Sequence, residues 1–130
     1  MKIFLMVGLL SMMLPCALQA SERTLTEKDA GKEVLLKKGD LLTVKLPSNP
    51  SAGYDWNCLV IGRGLLKQMG DVVRKNKETA RGIVGVPVTE IWKFRALEVG
   101  SLKMTFNYAR PWEKGEPPAR TLHWPVTIRP

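Results

Sequence analysis

Apolar and polar residues alternate with a period of two along most of the chain after residue 20, which is the pattern of β-strands that bury one face. Leu42, Val44 and Leu46 share one face of such a segment, and Trp92 and Phe94 share one face of another. The pattern predicts strands at 33–37, 41–46, 54–61, 89–97, 102–108 and 121–128, a short extended piece at 72–73, and either a short strand or a helical turn at 65–69. Seven or eight short strands separated by turns predict an all-β, immunoglobulin-like sandwich of antiparallel strands.

The connections between these strands carry turn-forming residues. The Lys-Gly-Asp sequence at 38–40 predicts a tight turn that makes 33–37 and 41–46 neighbouring strands. Residues 75–81 are polar and charged and predict a mobile surface loop. Residues 109–119 contain three prolines and a glycine and predict a second long loop.

The first 20 residues have the composition of an export signal that is removed after translocation. Lys2 precedes an almost unbroken apolar run at 3–14, Pro15 interrupts that run, and Ala20 offers a small residue at a cleavage point. The apolar run is shorter than the roughly 20 residues that span a bilayer. We therefore expect a signal peptide rather than a membrane anchor.

Removal of residues 1–20 leaves a single domain at 21–130, which we expect in the periplasm or outside the cell and free of the membrane. Lipid attachment at Cys16 is the weaker alternative, because Pro15 stands where such processing sites usually carry a small residue.

Charge and cysteine content narrow the possible partners. Without Lys2, 19 of the 20 basic residues remain against 12 acidic residues, a formal net charge of +7. The basic residues are scattered along predicted strands, which favours solubility and long-range steering over nucleic-acid binding. Cys58 is the one cysteine left after processing, so no internal disulfide can form, and its apolar neighbours favour a small buried side chain.

No cluster of catalytic or metal-binding residues is evident in the sequence. The one candidate nucleophile pair, Cys58 and His123, lies on different predicted strands, and the alternation turns His123 to the solvent face. The chain contains no CxxC, HxxxH or calcium-type loop, and Gly82 and Gly85 lack the Lys-Ser/Thr ending of a phosphate loop. We therefore expect no enzymatic activity, no bound metal and no cofactor.

Three loops carry stiff or aromatic residues where a structural loop is usually plain and polar. They are Asn49-Pro50-Ser51-Ala52-Gly53-Tyr54, Tyr108-Ala109-Arg110-Pro111-Trp112 and Gly82-Ile83-Val84-Gly85-Val86-Pro87-Val88. Pro50 fixes its own φ and Gly53 permits a positive φ, so the first loop has few conformations to lose. Trp112 lies outside the strand alternation and is either a lid over the end of the sandwich or an exposed anchor for a partner.

In a sandwich of this type the first two loops lie at the same end, and we expect the third beside them. Three stiff loops on a rigid scaffold predict a wedge that inserts into a partner protein. The alternative is an exported immunoglobulin-like module that binds an anionic or structural partner through its basic faces.

These loops resemble those of the chagasin family, which are protein inhibitors of papain-type cysteine peptidases. The resemblance rests on residues 46–54, on 85–90 followed by an aromatic strand, and on 108–112, in the order and spacing of the family. It covers residues 36–128, most of the expected mature domain. It implies an immunoglobulin-like fold whose three loops fill a peptidase cleft reversibly and without a covalent bond.

The resemblance also implies a role for each loop. Residues 49–54 would lie over the catalytic cysteine of the peptidase, with Ser51 and Ala52 nearest the thiol. Residues 110–112 would flank the thiol on the primed side, where the tryptophan packs on an aromatic residue of the enzyme, and residues 85–88 would contact the other flank. The implied partner is a papain-type cysteine peptidase, bound by a monomer.

Two features depart from the family pattern. Pro87 and Val88 stand where glycines are expected, so the backbone of the third loop cannot approach the enzyme as closely. Ala52 stands where a hydroxyl residue is common, which removes one hydrogen bond near the thiol. We expect both changes to alter affinity or target choice and neither to alter the fold.

Overall fold

Nine β-strands and two short 3-10 turns are present in the part of the chain that the structure, a computed structural model, describes: residues 21–61, 64–75 and 88–130. The strands are β1 (Glu22–Thr26), β2 (Val34–Lys37), β3 (Leu41–Ser48), β4 (Asp55–Ile61), β5 (Leu66–Gln68), β6 (Val73–Lys75), β7 (Val88–Ala96), β8 (Gly100–Ala109) and β9 (Arg120–Arg129). The 3-10 turns cover Glu27–Asp29 and Pro50–Ala52. Within these ranges no helix is long and apolar enough to cross a membrane.

Some of the predicted features lie outside the described residues. They are the signal peptide at 1–20, which includes Cys16, residues 76–81 of the predicted polar loop, and residues 82–87 of the predicted third loop. The first residue of that loop, Lys75, is the last residue of β6.

The strands form two sheets that pack face to face. One sheet has the order β1-β3-β7-β5, with β6 also paired to β7, and the other has the order β2-β9-β8-β4. The prediction of an all-β sandwich is confirmed, and the ambiguous segment at 65–69 contains a strand, β5. Two details differ: the described residues form nine strands rather than seven or eight, and β1 and β2 run parallel to β3 and β9. No hairpin joins either edge strand to its parallel neighbour, because the chain passes from β1 to β2 in the other sheet and returns from β2 to β3.

The turn at 38–40 is where the predicted strand pairing is wrong, since β2 and β3 belong to different sheets. The amide of Lys38 donates to the carbonyl of Arg129 in one sheet at 2.8 Å, and the amide of Gly39 donates to the carbonyl of Ala96 in the other at 2.8 Å. The turn therefore bridges the two sheets, at the end of the sandwich opposite the loop between β3 and β4. Its composition is the same as that of a hairpin turn, which is why sequence alone does not distinguish the two.

The core lies between the sheets and is centred on Phe106. This ring meets Trp92 and Trp124 edge to face, at centroid distances of 5.4 Å and 5.8 Å. Edge-to-face aromatic pairs contribute about 0.5–1.5 kcal/mol each beyond the burial of their area. The alternation that predicted the strands places these rings inward, and the rigid core they form carries the loops at the end of the sandwich.

Candidate functional site

The loop between β3 and β4 is closed by its own hydrogen bonds; residues 49–54 are called the central loop below. The amide of Gly53 donates to the carbonyl of Pro50 at 3.0 Å, and the Ser51 hydroxyl donates to Oδ1 of Asn49 at 2.7 Å. Gly53 has a φ of +85°, in the positive range that the sequence interpretation expected this glycine to permit. A side chain in this left-handed region is strained, so glycine is required for the loop to close in this way.

The two ends of the central loop are fixed to the sandwich by aromatic side chains. The indole Nε1 of Trp56 donates to the carbonyl of Pro47 at 2.8 Å, and the Tyr108 hydroxyl accepts from the amide of Asn49 at 2.8 Å. The Tyr108 ring lies between Trp56 and Tyr54, at centroid distances of 4.7 Å and 5.0 Å. The sequence interpretation placed Tyr108 in a strand but missed this function. A tyrosine at the last inward position of a strand is the signal, because a buried hydroxyl needs a partner.

Residues 110–112, called the flanking loop below, are bonded to the central loop through one side chain. Arg110 Nε donates to the carbonyl of Ala52 at 3.1 Å, and the guanidinium carbon lies 4.5 Å from the centroid of the Tyr54 ring. A cation over an aromatic face is attracted by about 0.5–1 kcal/mol at an exposed site. Arg110 Nη1 also pairs with Glu113 at 3.1 Å, which further restricts the guanidinium. The two loops therefore form one surface.

Trp112 is the most prominent apolar side chain on this surface, with 65% of its area exposed. Its ring covers Gly53 so closely that a Cβ atom added to Gly53 would lie 2.1 Å from Trp112 Cη2. Of the two sequence alternatives, lid or exposed anchor, the exposure argues against a lid over the core, and contact with a partner stays a prediction. Pro111 precedes the ring and limits the backbone that carries it. A large aromatic held in place before binding is the residue type that most often dominates an interface.

The third predicted contact segment is described only at its last residue. Gly85, Val86 and Pro87 lie outside the described residues. Val88 is the first residue of β7, its side chain is buried, and its backbone pairs with Ser48, which directly precedes the central loop. The described end of this segment thus borders the central loop, and its contact with a peptidase stays a prediction.

Cys58 and His123 do not form a nucleophile pair. Cys58 is on β4 and is half-buried against the core, whereas His123 is on β9, is exposed, and contacts Thr105 on β8 at 3.1 Å. Burial raises the pKa of the Cys58 thiol to about 12, so the thiol stays protonated and unreactive at neutral pH. Among the described residues no group of three or more His, Cys, Asp and Glu side chains is placed to hold a metal ion.

A buried carboxylate lies beneath the central loop. Glu90 on β7 is 1% exposed, and its Oε1 lies 3.4 Å from Nη2 of Arg74. The same Nη2 lies 3.1 Å from Oδ1 of Asp55, the residue that follows the central loop. Burial raises the pKa of Glu90, against the opposing effects of the Ser48 hydroxyl and the Arg74 charge. The alternation in β7 places Glu90 on the same inward face as Trp92. This shared face was a sequence signal for a buried carboxylate, and the sequence interpretation missed it.

Glu90 makes the stability of the domain depend on pH in a defined direction. Because its pKa is higher in the folded than in the unfolded protein, the native state binds more protons than the unfolded state just above the usual value of 4.5. The contribution of Glu90 to the free energy of unfolding therefore rises as the pH falls through this range, and is lost as the pH rises.

We expect wild type to gain stability relative to Glu90→Gln between pH 7 and about pH 5, since the amide does not titrate. Urea denaturation of both proteins at each pH measures the difference in their free energies of unfolding. The effects of the carboxylates that both proteins share cancel in this difference. The expectation is wrong if the difference in the free energy of unfolding is the same at both pH values, or if Glu90→Gln gains stability relative to wild type as the pH falls. Either result would show that burial does not raise the pKa of Glu90.

The fold and the site define a β-sandwich that presents two interlocked loops and an exposed tryptophan at one end, the architecture of a protein that binds by inserting loops. The family model described as "Chagasin family peptidase inhibitor I42" matches residues 35–126. The chain therefore belongs to the chagasin family, whose members are peptidase inhibitors and not enzymes.

Individual relatives agree with this assignment. Amoebiasin-2 of Entamoeba histolytica is 33% identical over 110 residues, which cover 85% of this chain and 88% of the relative. The crystal structure of the cysteine protease inhibitor EhICP2 from Entamoeba histolytica is similar with a TM-score of 0.75 at 32% identity, covering 85% of this chain and 98% of that one. PbICP-C, in a structure of its complex with falcipain-2, shares the fold at a TM-score of 0.54 and 20% identity, covering 85% of this chain and 92% of that one.

Proposed function

We propose that this protein is a reversible, non-covalent inhibitor of papain-type cysteine peptidases, and that its central and flanking loops enter the active-site cleft together. The observation that carries the proposal is the bond from Arg110 to Ala52, with Trp112 seated on Gly53, which joins both loops before any partner is bound. Loops that are already ordered lose little conformational entropy on binding. The similarity to EhICP2, a cysteine protease inhibitor, supports this class of target.

The tip of the central loop suits the chemistry of a papain-type site. Such a site holds a thiolate beside an imidazolium, and both prefer hydrogen-bonding partners to apolar surface. Ser51 is exposed at the tip, and its hydroxyl hydrogen is donated to Asn49. The Ser51 oxygen therefore keeps a lone pair that can accept a hydrogen bond from the imidazolium. Ala52 beside it adds no hydroxyl near the thiolate.

The same geometry explains why the loop would not be cleaved as a substrate. A scissile carbonyl must enter the oxyanion hole of the enzyme and be attacked by the thiolate. The carbonyl of Ala52 accepts a hydrogen bond from Arg110 instead, and the amide of Gly53 is engaged with the carbonyl of Pro50. Acylation would require these bonds to break, so binding is expected to stay reversible.

We further propose that residues 85–88 contact the other flank of the cleft and that the protein acts as an exported monomer. The pairing of Val88 with Ser48, beside the central loop, supports the first point. The apolar run at 3–14 supports removal of residues 1–20 and a periplasmic or secreted location.

Steady-state kinetics of papain or a cathepsin L-type enzyme with the 21–130 domain tests the proposal. We expect competitive inhibition at sub-micromolar concentration, with the inhibitor recovered uncleaved. A folded sample that does not inhibit at tens of micromolar would overturn the proposal and favour the alternative of a binding module for an anionic or structural partner.

A further inference from the structure

Glu90 occupies a position that the pattern of its own strand assigns to an apolar residue. In the register of the sheet it lies between Leu46 on β3 and Arg74 on β6, and its side chain points inward with those of Trp92 and Phe94. It is 1% exposed, and within the described part of the chain its Oε2 has no hydrogen-bond partner. A buried carboxylate of this kind is costly, and an apolar residue of similar size is often at least as stable.

The groups around this carboxylate come from both ends of the central loop. Ser48 directly precedes the loop, and its hydroxyl donates to the carbonyl of Tyr54 at 3.5 Å. The Ser48 hydroxyl and the backbone amide of Trp56, which is two residues past the loop, both lower the pKa of Glu90 against the larger effect of burial. Asp55, between Tyr54 and Trp56, is linked to Glu90 through the guanidinium of Arg74. The charged groups that face Glu90 are Arg74 from β6 and Asp55 from β4.

Arg74 also closes one edge of the sandwich. Strand β6 belongs to the sheet of β7, whereas β4 is the edge strand of the opposite sheet. The guanidinium of Arg74 spans the gap between them, with Nη2 shared by Asp55 at 3.1 Å and Glu90 at 3.4 Å. The Asp55 pair alone would contribute little, since both side chains are about half exposed. Glu90 is the fixed, buried member of the cluster.

We propose that Glu90 is a positioning residue for inhibition, which holds both ends of the central loop in place through Ser48, Trp56 and the Arg74–Asp55 bridge. The inference rests on the proposed function, because it assigns Glu90 to the wedge that enters the cleft. Glu90 itself does not reach the surface and touches no peptidase. The buried carboxylate therefore serves the geometry of the loop and not the stability of the fold.

The variant Glu90→Met separates these two roles, because methionine keeps the length and volume of the side chain but cannot pair with Arg74. We expect its Tm to equal or exceed that of wild type, because the desolvated charge is removed. We expect its inhibition constant for papain to rise about tenfold, which corresponds to about 1.4 kcal/mol. Hydrogen exchange at the amides of Ala52 and Gly53 should accelerate, since their bonds within the loop open more often.

Two further variants keep the test decisive. Glu90→Gln retains the shape and one acceptor, so its inhibition constant should lie between those of wild type and Glu90→Met, and it replaces the methionine variant if that protein does not fold. Glu98→Gln removes an exposed carboxylate that pairs with Lys38 at the far end of the sandwich, and it should leave inhibition and loop exchange unchanged.

Wild-type inhibition and wild-type exchange in Glu90→Met, or in Glu90→Gln if the methionine variant is unfolded, would overturn the inference. The exchange measurement needs no peptidase. If wild type itself does not inhibit papain, the proposed function fails, while faster exchange in the variants would still establish that Glu90 positions the loop.

Discussion

Replacement of Trp112 by alanine is expected to weaken inhibition of papain by at least about 2 kcal/mol, or about thirtyfold, and to leave the fold intact. The indole is 65% exposed, so its loss creates no cavity in the core. Substitutions at exposed sites usually change stability by less than about 0.5 kcal/mol, which corresponds to a shift in Tm of about 3 °C in a domain of this size. The inhibition constant and the Tm of the purified variant measure the two effects separately.

Val99→Ala is the matched control for this prediction. Val99 is 51% exposed and lies at the other end of the sandwich, just before β8, so its truncation removes exposed apolar surface away from the loops. We expect its inhibition constant to equal that of wild type. If Trp112→Ala unfolds the domain, or inhibits as well as the Val99 variant does, Trp112 is not the anchor of the interface.

Gly53→Ala is expected to weaken inhibition by about 2–3 kcal/mol, roughly a hundredfold, through two separate effects. The φ of +85° costs a residue with a side chain about 1–2 kcal/mol. The new methyl group would lie 2.1 Å from Cη2 of Trp112, so the indole must leave its place. A single methyl group thus strains the central loop and displaces the aromatic residue of the flanking loop.

Gly31→Ala separates the strain from the collision. Gly31 has nearly the same φ, +86°, but a Cβ atom added there meets nothing within 4 Å. We expect both variants to lose similar stability in urea denaturation and only Gly53→Ala to lose inhibition. Equal inhibition by the two variants would show that the contact between the loops is not needed for binding.

Several features of the fold and of the loops can be predicted from the sequence for physical reasons. The strand alternation of this chain is set by burial on one face, which is why β7, β8 and β9 agree with the pattern. Gly53 was expected to permit a positive φ, because glycine has no Cβ atom, and its φ in the structure is +85°. The place of Trp112 after the last alternating residue of β8 left a lid and an exposed side chain both open, and the structure shows that the side chain is exposed.

Other features depend on contacts between residues far apart in the chain. The turn at 38–40 has the composition of a hairpin turn. Only its hydrogen-bond partners, Ala96 in one sheet and Arg129 in the other, show that it crosses between the sheets. The bond from the Asn49 amide to the Tyr108 hydroxyl spans 59 residues, and no local pattern contains it. The bridge from Arg74 to Asp55 and Glu90 likewise requires knowledge of which strands form the two edges.

Protection of the catalytic cysteine of papain from alkylation by iodoacetamide tests the central claim most directly. If the central loop lies over the thiolate, one equivalent of the 21–130 domain should protect the cysteine fully, and the thiol should become reactive again when the complex dissociates. Cys58 of the inhibitor does not interfere, because its pKa of about 12 keeps it protonated. Alkylation at the rate of the free enzyme, in a sample shown by gel filtration to contain the complex, would place the inhibitor elsewhere on the peptidase and contradict the account.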